Sequence, residues 1–303
     1  MVAGAVLELA LSGPRGEPVD LWRTIVSHGV ADLPPGAIDE SARTYGTTLP
    51  LGRARPRTIR MREGGRGQAV VDVLGPSLSD AGPERVAAAV RRMLNLDEDL
   101  SAFYDVAAAD PELAWATEGA GRMLRSPTVF EDVVKTICTT NCAWSATVRM
   151  TRALVDNLGE ESAGAHGRAF PAPSAMAEAP ERFYREVVRA GYRGSYLKSL
   201  AAGVAEGAIE LEGLRETSAL ELSDDEVAER LTALPGVGPY AAAHVMMLLG
   251  RHSRLILDSW TRPKYARVNG GRRASDRTIE RRFRRYRSHA GLAFWLYLTR
   301  DWA

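Results

Sequence analysis

Two features of this 303-residue chain combine residue types and spacing that could do chemistry. One is the run Leu234-Pro235-Gly236-Val237-Gly238-Pro239-Tyr240. The other is Asp258, within Leu255-Ile256-Leu257-Asp258-Ser259-Trp260. Glycine takes left-handed backbone angles without steric cost, so Gly-Val-Gly between apolar segments can turn tightly between two helices. Such a turn leaves bare backbone N–H groups at the start of the next helix, where the helix dipole also favours an anion. That is a phosphate-binding geometry. A carboxylate about twenty residues further on can be carried back to the same mouth by one intervening helix. The pair suggests a protein that grips a DNA backbone and does acid–base or electrostatic chemistry beside it. Gly-x-Gly alone is weak and fits an ordinary inter-helix turn equally well.

Composition sets the outer bounds. The length suits one large or two modest domains. A hydrophobic fraction of 45% supports a real core, and 25% charged residues is ordinary for a soluble protein. The net charge of +1 hides an uneven distribution. From Arg262 to Arg287 arginines dominate, with Lys264 beside them and Asp276 and Glu280 as the acids. This is either a local cationic surface for phosphate or a solvated helix face. Cys138 and Cys142 are too few for a four-cysteine zinc site or an iron–sulfur cluster and are badly placed to bridge. Both read as buried small hydrophobes in a reducing compartment. No signal-like segment and no membrane-length apolar run is present. The expectation is therefore a cytoplasmic monomer with no membrane association and no metal.

These residues must be positioned by a mixed chain. Residues 1–75 read as β-rich: a strand over Val6–Leu11, then a hairpin of 57–62 and 68–74 around Glu63-Gly64-Gly65-Arg66-Gly67. Between them, Val19–Val30 predicts a short helix ending near Pro34-Pro35. From Pro83 the pattern is helical. Asp97 is placed to cap the next helix, through Leu100, Phe103 and Tyr104. Ser126-Pro127 opens another, and Trp144 to Leu158 follows, stopped by Gly159. Residues 160–175 read as a loop. Helices around 180–190 and 196–205 come next, then a Ser223–Glu226 capping box before Val227–Leu234. Tyr240–Leu249, Asp258–Val268, Ser275–Ser288 and Gly291–Trp302 complete the set. No internal repeat is visible.

At this point the chain resembles the helix–hairpin–helix DNA glycosylases, in the branch of the 8-oxoguanine and alkylated-base (3-methyladenine) enzymes. The resemblance rests on the Leu-Pro-Gly-Val-Gly hairpin, on the spaced Asp258, and on three further stretches in the right order. Leu94-Asn95-Leu96-Asp97 with Leu100 and Tyr104 is similar to the segment joining that branch's β domain to its helices. Ile137-Cys138-Thr139-Thr140-Asn141 is similar to the helix end carrying a DNA-probing Asn. Gly191-Tyr192-Arg193 resembles a Gly-Tyr-Arg whose Tyr and Arg enter the duplex. The resemblance implies an α+β fold: an N-terminal antiparallel β domain over 1–96, and a mostly helical glycosylase domain over 97–303 with a cleft. It implies base flipping, with Asn141, Tyr192, Arg193 and the hairpin residues Gly236, Val237 and Gly238 on double-stranded DNA. Asp258 matches the family's catalytic carboxylate, which would stabilise positive charge on the sugar as the N-glycosidic bond breaks. It can equally cap the following helix, and one residue can do both. The resemblance implies no cofactor beyond a monovalent cation bridging the hairpin carbonyls.

The departures are as informative. Bifunctional members carry a Lys two positions after the second hairpin Gly; here that position is Tyr240, which cannot form the Schiff base that cleaves the strand. Lys264 lies beyond Asp258 and does not match. A monofunctional hydrolase is implied. Alkylated-base members carry an aromatic at this place and hold cationic bases by stacking, although Tyr240 can also simply pack. The last helix aligns Phe294 and Leu298 with base-contacting positions and lacks the Gln of the 8-oxoguanine group. His244, one turn after Tyr240, either contacts the flipped base or packs in the core. Trp144 and Trp260 either line the cleft or pack. Alkylated purines are the default substrate, and a bulkier modified base in foreign DNA, with a defence role, is the alternative. A non-catalytic helix–hairpin–helix DNA-binding module is the reading from another class.

Overall fold

The computed structural model describes residues 3–164, 166–217 and 221–302. Five strands, β1 (Ala3–Ala10), β2 (Ala37–Asp39), β3 (Thr44–Leu51), β4 (Ala54–Glu63) and β5 (Gln68–Leu74), form one antiparallel sheet in the order β1-β5-β4-β3-β2. The expected hairpin is β4–β5, with Arg60 opposite Asp72 and Glu63 opposite Ala69. Strands β2 and β3 had no clear sequence signal. β3 reads Thr-Tyr-Gly-Thr-Thr-Leu-Pro-Leu, and its ladder shifts register between Leu49 and Leu51, around Pro50. A proline with no donor is accommodated at such an irregularity.

The segment expected as one helix over Val19–Val30 is broken. Helix α1 covers only Leu21–Ile25, with the Asp20 side chain accepting from Arg23 N, and a 3-10 turn follows at Gly29–Asp32. Between them His28 is extended, at φ −161° and ψ 156°. Its Nε2 lies 2.7 Å from the Leu124 carbonyl. Ser27 is clamped twice: its Oγ accepts from Leu124 N and its carbonyl accepts from Trp295 Nε1 at 2.8 Å. These bonds join the β-rich part to the last helix and push the break toward the cleft.

Thirteen helices are described. After α1 come α2 (Gly82–Met93), α3 (Ser101–Ala108), α4 (Val129–Thr139), α5 (Trp144–Leu158), α6 (Pro173–Glu178) and α7 (Arg193–Ala205). Then follow α8 (Gly213–Glu216), α9 (Asp224–Thr232), α10 (Pro239–Leu248), α11 (Thr261–Val268), α12 (Asp276–Phe283) and α13 (Ala290–Thr299). Pro83 sits in the first turn of α2, and the Ser223–Glu226 capping box closes reciprocally at α9. Asp97 does not cap α3. It is exposed and paired with Arg91, while Asp99 accepts from Ser101 N. The cap of α4 is Thr128, two residues after Ser126. The stretch 180–190 contains a π-turn at Phe183–Val187.

Three apolar clusters hold these elements. The sheet, α1 and α2 share one, including Ile59, Met61, Val71 and Val90. Helices α4, α5, α7 and α9 share the second, and α3 and α11–α13 the third. Helix α10 belongs to both: Ala242 and Val245 face the second cluster, and Ala243 and Met247 the third. A helix apolar on every side is one buried on every side. Tyr240, in its first turn, touches both clusters, so it stands where the two helical units meet. Among the described residues no helix is long and apolar enough to cross a membrane, and no group of three or more His, Cys, Asp or Glu side chains could hold a metal ion.

Candidate active site and nucleic-acid interface

The hairpin connects α9 to α10. Gly236 is in the left-handed region at φ +79°, and a Cβ there would come within 2.9 Å of the Tyr196 side chain. Only glycine turns there without strain. Val237 N donates to the Leu234 carbonyl, and the Val237 side chain is buried in the apolar cluster. Its side chain is thus committed to the core and its N–H is already paired. Gly238 is the N-cap of α10, extended at φ −97° and ψ −177°. A Cβ added there would meet nothing within 4 Å, so its side faces open space. Helix α10 starts at Pro239, which has no N–H to leave unpaired.

Before this hairpin lies a groove of about 780 Å³, lined among others by Asn141, Tyr192, Gly238, Tyr240 and Asp258. Tyr192 is 54% exposed, and its hydroxyl accepts from Asn141 Nδ2 at 3.2 Å. Asn141 itself is at φ +46°, a conformation that Asn tolerates better than most residues. Arg193 behaves differently from the expectation. It is 7% exposed, and its guanidinium donates to the Thr140 carbonyl and hydroxyl and to the Ala190 carbonyl. It also lies over the Tyr192 ring at 4.5 Å. Arg193 therefore holds the Thr140–Asn141 corner and Tyr192 in place rather than projecting into solvent. The arginine-rich stretch is likewise partly committed: Arg262, Arg282 and Arg285 pair with Asp276, Glu112 and Asp110.

Asp258 lies between the groove and a second cavity. Its Oδ1 accepts from Trp260 N at 2.8 Å and Thr261 N at 2.6 Å, while Asp258 N donates to Thr261 Oγ1 at 2.8 Å. Oδ1 therefore does the capping work at the start of α11. Oδ2 has no protein donor among the described residues, which leaves one oxygen for the cleft. Asp258 lines both the groove and the cavity.

That cavity, about 450 Å³, is walled by aromatic rings and by His28 and His244. The expected residues Tyr240, His244, Trp144 and Trp260 all line it. Trp144 is about half exposed at its rim. Trp260 packs with Trp295 and Trp302 at centroid separations of 5.6 and 5.4 Å, and those two rings lie 5.9 Å apart. Phe294 and Leu298 do not line it. Both are completely buried, Phe294 against Tyr265 and Phe283. The last helix turns its neighbouring residue, Trp295, to the cavity instead. The helix is apolar all round, so its pattern does not reveal which residue faces the cleft. Cys138 is buried, its thiol pushed up to about 12 by burial. Cys142, expected to be buried too, is half-buried and lines both spaces.

The electrostatics keep the two imidazoles of the cavity neutral. Burial, and then the neighbouring His28 ring 5.7 Å away, push His244 down to about 3. Burial also lowers His28. His244 Nε2 and His28 Nδ1 are buried with no hydrogen-bond partner. Burial raises the Tyr240 phenol above its ordinary value, opposed by the hydroxyl contact with Thr139 at 3.4 Å and reinforced by the Asp258 carboxylate. No lysine lines the groove or the cavity, and Lys264 Nζ is held by both oxygens of Asp301. Sequence reasoning missed His28, Trp295 and Trp302. His28 comes from the β-rich part and has no local motif.

No protein-family model matches the sequence, and no curated protein does. Solved structures do. A structure described as MBOgg1 in complex with a low-affinity DNA ligand superposes with a TM-score of 0.73 at 20% identity, over 100% of this chain and 98% of that one. The 3-methyladenine DNA glycosylase from Archaeoglobus fulgidus gives 0.74 at 20% identity, over 98% and 99%. The Clostridium acetobutylicum 8-oxoguanine glycosylase/lyase, bound to double-stranded DNA with cytosine opposite 8-oxoguanine, gives 0.72 at 20% identity over 99% of both chains. The chain thus has the helix–hairpin–helix DNA-glycosylase fold along its whole described length.

Proposed function

We propose that this protein is a monofunctional DNA glycosylase, which flips a modified base out of duplex DNA and hydrolyses its N-glycosidic bond. The observation that carries the reading is the placement of Asp258. One oxygen is fixed by two backbone amides, and the residue stands where a groove fronted by a helix N-terminus meets an aromatic cavity. The groove fits a DNA backbone held by the hairpin amides, with a monovalent cation on the hairpin carbonyls as a further element of the proposal. Tyr192, exposed and joined to Asn141, fits a wedge in the stack vacated by the flipped nucleotide. Arg193 supports that wedge from behind.

In the cavity the base stacks on aromatic faces. As its bond to the sugar breaks, the base leaves with the bonding electrons and positive charge builds on the sugar. The Asp258 carboxylate stabilises that charge and orients the water whose oxygen takes the base's place. Alkylated purines suit this chemistry, because a cationic base stacks well on indole and phenol rings and leaves as a neutral molecule. The neutral imidazoles of His28 and His244 add no repulsion. The proteins of like fold include a 3-methyladenine glycosylase and an 8-oxoguanine glycosylase/lyase. The absence of a lysine from the lining of either space supports the monofunctional assignment here. The test is base release from an alkylated duplex, revealed as strand breaks after alkali, together with borohydride treatment during turnover. Alkali-dependent breaks without a trapped protein–DNA adduct are expected. Efficient trapping would overturn the monofunctional reading, and absence of any release across a panel of modified duplexes would leave a binding module.

A further inference from the structure

The aromatic cavity is not closed on the side of the β-rich part. A third space, of about 720 Å³, is lined by Trp22, Asp32, Ile38 and Glu40 and shares His28, Gly29, Trp144 and Trp302 with the base cavity. Each space alone falls in the range of roughly 300–1,000 Å³ typical of whole small-molecule sites, so a bare base does not fill both. Gly29 stands at the neck. A Cβ there would reach Trp144 Cη2 at 3.5 Å, in ordinary contact, so the missing side chain keeps the passage wide.

The charged groups that line this annex share one character, beside the indole N–H groups of Trp22, Trp144 and Trp302 and with Arg43 over the Trp22 ring. Both charged side chains of its lining, Asp32 and Glu40, are carboxylates, exposed at its outer end. Asp32 Oδ1 accepts from Ile38 N at 2.8 Å, which fixes that carboxylate. His28 stands at the neck with one further acceptor, enclosed by protein. Its Nε2 faces a carbonyl at 2.7 Å and must carry the proton, so in the neutral ring Nδ1 is a bare acceptor, buried and unpartnered. Indole faces beside two carboxylates suit C–H or cationic surface next to hydrogen-bond donors.

Building on the glycosylase reading, we propose that the annex is a subsite for a bulky, donor-rich substituent on the flipped base, either a polyhydroxyl group or an aminoalkyl group. The base itself stacks near Tyr240 and Trp260, and its substituent passes Gly29 toward Asp32 and Glu40.

The test uses the full chain and duplexes carrying, at one position, 5-hydroxymethylcytosine, its glucosylated form, a 5-aminoalkyluracil or an N-methylated purine. Release of the glucosylated or the aminoalkyl base should exceed release of the hydroxymethyl base by about tenfold or more in kcat/KM, as for a site built to bond groups its analogue lacks. The faster of the two names the substituent. The double variant Asp32→Asn/Glu40→Gln should abolish that gain and leave release of the N-methylated purine unchanged. Gly29→Val should narrow the neck and lower release of the large substituted base more than release of the N-methylated purine. If the N-methylated purine is released but the large substituents bring no gain, the annex proposal falls and the glycosylase reading stands. If no base is released from any duplex, the glycosylase reading falls. The annex is then judged by quenching of tryptophan fluorescence with the free substituted nucleosides. Saturable quenching weakened in the double variant supports it, and no quenching overturns it.

Discussion

The hairpin groove and the aromatic cavity meet at Asp258 and Tyr240, yet they work on opposite physical terms. The groove is fronted by the backbone of the hairpin. Gly238, Asn141 and an exposed Tyr192 front a helix N-terminus, and the two hairpin glycines bring no side chain. Such a surface binds any sequence through phosphate, and its strength depends on salt. The cavity is built from side chains: two buried neutral imidazoles, Tyr240 and a tryptophan trio. On the proposed function it recognises a base by shape and stacking, and salt matters little inside it. Helix α10 serves both. Its first residues front the groove and His244, one turn on, faces the cavity. On the proposed function, holding DNA and choosing a base are thereby separable tasks of one short segment.

The strongest way to split them is Asp258→Asn. The amide keeps an oxygen for Trp260 N and Thr261 N, so the cap survives, but it offers no full negative charge to the developing cation. Base release should fall by about 10²–10³-fold or more, while duplex affinity by fluorescence anisotropy stays the same. Normal turnover would remove Asp258 from the mechanism.

The neutral imidazole of His244 in the cavity predicts a pH dependence of stability that the groove does not. The folded state holds His244 near 3, below the roughly 6.5 of an unfolded histidine. The stability it contributes is full above about pH 6.5 and is lost as pH falls toward 3, because the unfolded chain takes up the proton first. Between pH 6.5 and 5 this amounts to at most about 2 kcal/mol for one such group. Denaturant midpoints of the wild type should drop over that range. Those of His244→Leu should drop less; equal slopes would show that His244 is not held neutral.

Gly238→Val probes the groove alone. The backbone there suits any residue and an added Cβ meets no protein atom within 4 Å. Stability should hardly change, while duplex affinity at fixed salt should fall by about tenfold and the salt slope flatten. Gly236→Ala should instead destabilise the fold, since it combines positive φ with a clash at Tyr196. Unchanged DNA binding in Gly238→Val would take the hairpin out of the interface.

The smallest expected effect belongs to Tyr192→Ala. If the ring fills the vacated stack, excision from fully paired duplex should suffer several-fold more than excision from a mismatched one, where unstacking costs less. Equal losses on both would end the wedge assignment.

Much of this was legible in the chain itself. The hairpin with its following carboxylate, the β4–β5 turn, the α9 capping box and the Trp144–Leu158 helix all carry local signals, because turns, caps and helical periods are set by neighbours in sequence. What only the tertiary structure decided are the facts that depend on which surfaces meet. Helix α13 is apolar on every side, so its pattern could not say that Trp295, and not Phe294 or Leu298, reaches the cavity. Arg193 stands in a motif that suggests a group aimed at DNA, but the Thr140 and Ala190 carbonyls compete for its guanidinium and win it for the protein. His28 comes from a broken helix more than two hundred residues before Asp258, and it enters the site because Leu124 and Trp295 pin the segment there. Sequence determines the elements and the chemistry they carry, through contacts between near neighbours. Which side chain faces the cleft is fixed by long-range packing and by competition among distant hydrogen-bonding groups, and no local pattern encodes that.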